Sequence, residues 1–379
     1  MNFSLSDEQA MLVELAEQVA RDLPAALPRD EYPFEVTKAF AAVGLTGIDL
    51  PAEDGGQGGT LLDSVLAIEA VARTRPRAAD MLQATNFGAI RQIAAFGTPD
   101  QKERYLRPAL SGEKLATVAM TEPDAGSAAT ELRARARREG GSVVVNGTKI
   151  FNSDGPFATH FVVWVRFGEG ARGVGSVIVP ADAAGFVRGQ TERFLSAEAH
   201  CSLLFEDCRV PEDHVLVPED AFRRVMPIFN IERLGNAARA LGYGERAFRL
   251  AVDYAKARRQ FGRPLADFQG LRWRFADMKL QLEGARMLLY RAAATAGRAA
   301  PSALDSALAK WACNETGYRV ADAALQIFGG YGFSSESELG YLVARTRGWM
   351  IAGGSVEILR NRIADEVLGR QPPAKAAPS

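Results

Sequence analysis

Glu232, in Phe229-Asn-Ile-Glu-Arg-Leu-Gly-Asn236, stands at the head of a long apolar helical pattern. A carboxylate partly stripped of water there has its pKa raised toward neutrality and becomes a competent acceptor of a proton from carbon. The plainer reading of the same residue is a first-turn glutamate favoured by the helix dipole and bathed in solvent. Four further segments carry residue types suited to holding a ligand: Met120-Thr-Glu-Pro-Asp-Ala-Gly-Ser127, Lys149-Ile-Phe-Asn-Ser-Asp-Gly155, Arg258-Arg-Gln-Phe-Gly-Arg-Pro264 and Gln326-Ile-Phe-Gly-Gly-Tyr-Gly332. Taken singly, each is ordinary. Gly-Gly-x-Gly after a helix commonly just ends it, and arginines at a helix end commonly just complement its dipole.

The elements that must position these residues differ along the chain. From Ser6 the pattern is helical, with a capping box in Ser6-Asp-Glu-Gln9 followed by Met11, Leu12, Leu15, Ala16 and Val19 on one face. Helical signals continue over 60–73 and 84–96, with another helix over 100–106. Between about Val118 and Val217 the period shifts to two, in short β-rich runs such as 159–165, 175–180 and 201–205 bounded by Gly, Pro, Asn and Asp. Long helices then return, over 232–258, 270–296, 302–328 and 356–368. The expected fold class is α+β, mainly α. Its parts are an N-terminal helical domain (1–117), a central antiparallel β domain (118–218), a C-terminal four-helix bundle (219–370) and a disordered tail (371–379).

The 379 residues allow two or three compact units. A net charge of -1 with no long basic run gives no reason to expect nucleic acid or an anionic membrane as partner. The amino end has no basic segment leading into an apolar core, and no apolar run is long enough for a bilayer, so a soluble, cytoplasmic chain is expected. Cys201, Cys208 and Cys313 are odd in number, lack paired spacing and have only His160, His200 and His214 for company. Neither a disulfide framework nor a metal site is expected.

In their order and spacing the four segments resemble the acyl-CoA dehydrogenase family of flavoproteins, from the first helix to about Arg370. The resemblance implies FAD bound between the β domain and the bundle, an acyl-CoA substrate, an electron-transfer flavoprotein as acceptor and a homotetramer arranged as a dimer of dimers. It places Val118, Met120, Thr121, Gly126 and Ser127 along the flavin and its diphosphate, with Ser127 also near the substrate. Phe151 and Ser153 wall the ring from the far side. Arg258, Phe261, Gln326, Gly329 and Gly330, with Gln269 as a weaker candidate, reach the FAD of a neighbouring subunit. Ser355 and Glu357 belong to the cofactor side, and Phe229, Asn230, Arg233 and Gly354 to the substrate side.

Dehydrogenation of an acyl thioester requires a base for the α-proton. Most members of the family carry a glutamate where this chain has Gly353, in Ala352-Gly353-Gly354-Ser355. A minority, including isovaleryl-CoA, long-chain and crotonobetainyl-CoA reductase-like types, place it at the start of the helix that opens the bundle, which Glu232 matches. Glu357 is the rival carboxylate. Other departures are Phe151 for the usual Trp, Ser153 for Thr, Phe194-Leu-Ser-Ala-Glu198 for a Gly-x-Arg-x-Ser run, and Ala344-Arg345-Thr346 for an Arg-Asp pair. The last two are expected to lie beside the thioester's carrier. They leave open a substrate held on a carrier protein's phosphopantetheine, as does Gly353 a catalytically silent, FAD-binding partner subunit of a hetero-oligomer. An oxygen-using member of the family is a third option. Residues 78–92, with Gln83, Thr85 and Asn86, are expected at the acyl end and hint at a short or polar acyl group.

Overall fold

The computed structural model describes residues 4–370, so the tail expected over 371–379 lies outside the described residues. The amino-terminal helices are α1 (Asp7–Asp22), α2 (Phe34–Ala42), α3 (Leu61–Thr74), α4 (Pro76–Ala84), α5 (Ala89–Phe96), α6 (Pro99–Gln101) and α7 (Arg107–Leu110). Their starts are written in local chemistry. Ser6 Oγ accepts from Gln9 N while Gln9 Oε1 accepts from Ser6 N, both at 3.2 Å, and Thr60 with Asp63 closes an equivalent box on α3. The helix expected over 100–106 is interrupted by a wider π turn, Lys102–Leu106, between α6 and α7.

The β region contributes β1 (Ala116–Ala119), β2 (Arg135–Glu139), β3 (Ser142–Ser153), β4 (His160–Arg166), β5 (Val174–Pro180), β6 (Phe186–Arg188), β7 (Glu192–Arg193), β8 (Ala199–Pro211) and β9 (Val215–Val217). They form a nine-stranded sheet whose main path runs β6-β8-β3-β2-β4-β5-β9. Pairing is antiparallel except that β1 lies parallel to β4 and β2 touches β4 in parallel at Arg135 and Arg166. Gly140 and Gly141, both at positive φ, turn β2 into β3.

The carboxyl-terminal helices are α8 (Ala221–Ala257), α9 (Gln269–Ala296), α10 (Ala303–Phe328), α11 (Gly330–Phe333), α12 (Glu338–Trp349) and α13 (Val356–Val367), with a small ribbon of β10 (Arg259–Gln260) and β11 (Arg263–Pro264) between α8 and α9. One correction bears on the site. The opening helix starts at Ala221, so Glu232 sits about three turns inside it instead of at its head. Pro227 reads as a break in sequence, yet Ala221 and Val225 are fully buried and Phe222 packs on Trp164 at 5.1 Å. That burial carries the helix through the proline.

Close helix packing is set by small residues. A Cβ on Gly317 of α10 would fall 2.3 Å from Ala240 O of α8, and one on Gly242 would fall 2.4 Å from Ala72 Cβ of α3. Gly317→Ala is therefore expected to destabilise the fold by about 1–3 kcal/mol through overpacking, measured as a lower urea midpoint at unchanged m-value.

Candidate active site

Glu232 projects from α8 toward the α4–α5 connection and is half-buried. Gln83 Nε2 donates to its Oε1 at 2.9 Å, and the Gly88 N–H donates to its Oε2. Gly88 has φ +72 and precedes α5, a backbone state that a side chain would strain. Gly235, one turn along α8, leaves room for the glutamine, since a Cβ there would fall 2.4 Å from Gln83 Oε1. Burial raises the Glu232 pKa, against the opposing pull of Arg239, the Gly88 N–H, Gln83 and Arg91. The glutamate is thus neither exposed nor in the first turn. Gln83 and Gly88 fall inside the stretch expected at the acyl end, but their role as donors to the carboxylate has no sequence pattern of its own. Asn86 and Thr85 turn inward: Asn86 Oδ1 accepts from Ile48 N at 2.8 Å, and Thr85 Oγ1 donates to Leu82 O at 3.1 Å.

Among the residues expected on the substrate side, Arg233 Nη1 donates to Asn230 Oδ1 at 2.9 Å, and its guanidinium lies 5.9 Å from the Phe229 ring. A Cβ on Gly354 would be 3.6 Å from Arg233 Nη2, which puts that glycine beside the same corner. Gly353 and Gly354 have φ +70 and +93. A glutamate at 353 would have to adopt this left-handed backbone, at a cost of about 1–2 kcal/mol. Ser355 caps α13 through Ile358 N, and Glu357 is exposed in that helix's first turn. Hydrogen bonds from its own N–H and from Ser355 lower the Glu357 pKa, which unsuits it as a base.

The segment leading out of β1 lies against β3. Asn152 Nδ2 donates to Val118 O at 2.9 Å, Lys149 Nζ to Met120 O at 3.0 Å, and Ile150 N to Thr121 O at 2.9 Å. Beneath them Lys149 and Glu122 form a buried ion pair at 2.7 Å. Burial lowers the lysine to about 8 against the pull of Glu122, whose carboxylate also accepts from the Arg133 and Ala134 N–H groups. The result is a rigid ledge. Phe151 stands from it with φ +55 and 58% of its surface exposed, Ser153 is exposed beside it, and Gly126 and Ser127 are exposed at the ledge's end. A flat ring needs an open aromatic wall with hydroxyl and main-chain donors nearby, and these residues supply it. The buried supports Asn152, Lys149 and Glu122 were not among the expected site residues; they lie within its motifs, and only their contacts reveal their role.

Arg258, Gly329 and Gly330 line a separate pocket of about 550 Å3 with Tyr254 and Tyr331. Gln326 is exposed just before it, Phe261 is 93% exposed at φ +50, and Gln269 is exposed at the start of α9. None of the residues around Glu232 lines this pocket.

The two departures expected beside the thioester's carrier prove to be partners of each other. Glu198 accepts from Ser196 Oγ, and Arg345 reaches Glu198 at 3.6 Å and Asp80 at 3.0 Å. Asp80 also meets Arg239 at 2.6 Å and Arg77 at 3.2 Å. This buried joint ties α4, the β8 strand region, α8 and α12 together. Burial alone would raise the Asp80 pKa, but Arg345, Arg239 and Arg77 hold it down to about 2.

Family comparisons cover nearly the whole chain. The acyl-CoA dehydrogenase N-terminal, middle and C-terminal domain families match residues 6–113, 117–208 and 220–368. The chain is 35% identical to a 3-sulfinopropanoyl-CoA desulfinase of Paraburkholderia xenovorans, over 97% of this chain and 98% of that one. It is 34% identical to an acyl-CoA dehydrogenase of Bacillus subtilis, over 96% and 99%. The solved butyryl-CoA dehydrogenase of Megasphaera elsdenii superposes with a TM-score of 0.91 at 33% identity, over 97% of this chain and all of that one. With three helical and β units in the family's order and these matches across them, the chain belongs to the acyl-CoA dehydrogenase family.

Proposed function

We propose that the protein is an FAD-dependent acyl-CoA dehydrogenase in which Glu232 removes the α-proton of an acyl thioester. The observation that carries this is the half-buried Glu232 carboxylate, held on both oxygens and raised in pKa, in a chain whose Gly353-Gly354 turn offers no carboxylate of its own. Gln83 and Gly88 aim the carboxylate, and Asn230 holds Arg233. Val118, Met120, Thr121, Gly126, Ser127, Phe151 and Ser153 would hold the flavin. FAD, when bound, accepts the β-hydride as the α-carbon's electron pair forms the new double bond. Arg258, Phe261, Gln326, Gly329 and Gly330 would meet the cofactor of a neighbouring subunit, with Gln269, Ser355 and Glu357 at its margins.

Several features support the partners. On α9, Trp273, Leu280 and Met287 are exposed at seven-residue spacing, a stripe suited to a second copy in a homotetramer. An electron-transfer flavoprotein as acceptor and a cytoplasmic setting are part of the same proposal. No helix among the described residues is long and apolar enough to cross a membrane. Glu198 and Arg345 face each other inside the protein at ion-pair distance, which gives their joint departure from the family pattern a reading that needs no carrier-protein substrate.

The test is anaerobic bleaching of the bound flavin by a panel of short, branched, aromatic and polar acyl-CoAs. Bleaching by one of them supports a dehydrogenase. Release of sulfite from 3-sulfinopropanoyl-CoA without net bleaching would point to the chemistry named for the desulfinase relative. The pH dependence is also set. Glu232 must be ionised to act, so the limiting rate of bleaching is expected to rise with pH through a midpoint above the ~4.3 of an ordinary glutamate.

A further inference from the structure

Lys310, on α10, is fully buried, and its Nζ meets main-chain carbonyls instead of a carboxylate: Trp349 O at 3.1 Å and Gly354 O at 3.0 Å. These two carbonyls bracket the turn from Met350 to Gly353. A second donor reaches the start of the same turn. Asn314 Nδ2, one helical turn along α10, lies 2.7 Å from Trp349 O and 2.8 Å from Asn236 Oδ1. Asn236 in turn stands one helical turn past Glu232 on α8. Arg239 and Arg345 also reach the Trp349 ring, each with its guanidinium 4.8 Å from the ring centre. A continuous line of buried contacts therefore runs from the helix of Glu232 through Asn236, Asn314, Trp349 and Lys310 to Gly354.

We propose that Lys310 is a positioning residue for the dehydrogenation: by gripping the Trp349 and Gly354 carbonyls it fixes the Gly353–Gly354 backbone in register with the helix that carries Glu232. The proposal rests on the dehydrogenase reading above. Two glycines in succession at positive φ give this turn no side chain to pin it. A Cβ on Gly353 would be 3.5 Å from Lys310 Cε, so the lysine stem is the floor under the turn. Placing an amine in this interior is costly, and burial lowers it to about 7, with Arg233 and Arg239 of α8 pushing the same way and Glu232 opposing. Both the amine and the ammonium carry enough protons for two carbonyls, so the grip does not depend on ionisation. A turn held this firmly keeps its backbone at a fixed place relative to the helix of Glu232, and misplacement of such a backbone slows a reaction that depends on geometry.

The test uses FAD-loaded wild type, Lys310→Met and Lys310→Gln. Methionine keeps the stem and loses every donor, while glutamine keeps a donor without the charge. Two readouts are taken: amide hydrogen exchange over Met350–Ser355, and the limiting rate and half-saturation of flavin bleaching by butyryl-CoA. Lys310→Met is expected to speed exchange in that turn by about tenfold while α1 stays unchanged. It is also expected to slow the limiting rate roughly 10- to 100-fold at nearly unchanged half-saturation. Lys310→Gln is expected to recover a large part of both. Exchange and rate as in wild type, or faster exchange spread evenly over all helices, would overturn the proposal. If butyryl-CoA bleaches neither wild type nor variants, the use of this probe by the enzyme fails, and the exchange comparison still decides the role of Lys310.

Discussion

Glu232→Gln is expected to slow flavin bleaching by the best acyl-CoA about 10^2- to 10^4-fold, the range set by loss of a general base. The fold should survive. In the wild type both carboxylate oxygens accept, one from Gln83 Nε2 and one from the Gly88 N–H. An amide at 232 can still accept from Gly88 while its NH2 turns to Gln83 Oε1, a buried atom that otherwise lacks a hydrogen-bond partner. Stability should not fall either. The raised pKa of Glu232 in the fold means that its contribution to stability is full below the ordinary carboxylate range and is lost as pH rises through the folded value. At neutral pH the neutral amide therefore replaces a carboxylate that is costly to keep ionised. Stopped-flow bleaching and thermal melting on the same samples separate the two effects: a large rate loss at an equal or higher melting temperature is the expected pair.

The second large effect falls on Asp80. Replacing it by alanine leaves Arg77, Arg239 and Arg345 facing one another in the interdomain joint. Arg77 keeps Asp154 and Arg345 keeps Glu198, but Arg239 loses its ion-pair partner. Breaking a buried ion pair from one side costs about 3–5 kcal/mol, so Asp80→Ala is expected to lower the urea midpoint sharply. The pH dependence has the opposite sign to that of Glu232. Asp80 is held at about 2, so its stabilisation is present above the ordinary ~3.9 of an aspartate and is lost as pH falls toward 2.

Much of this was legible in the sequence because local chemistry and global fold agree. Ser6 with Gln9 caps α1, and the helices over 270–296 and 302–328 fall within a residue of where periodicity puts them. The start of α8 was not legible, since Pro227 suggests a break that only the burial of Ala221 and Val225 overrules. Glu232 stands out in the sequence only through the family resemblance, which implies a base either where this chain has Gly353 or where it has Glu232. Its donors do not stand out, because Gln83 and Gly88 lie some 150 positions away along the chain and meet it only in the fold. The pairing of Glu198 with Arg345 is of the same kind. Each looks like an isolated loss in sequence, and together they form one buried contact.

The identity of the base is tested most directly with a thioester that has α-protons but no β-hydride to give. Acetyl-CoA incubated with the FAD-loaded enzyme in D2O should exchange its methyl protons for deuterium, with no bleaching, in wild type. In Glu232→Gln that exchange should fall to the uncatalysed rate. Exchange that persists at the wild-type rate in Glu232→Gln would contradict the assignment of Glu232 as the base.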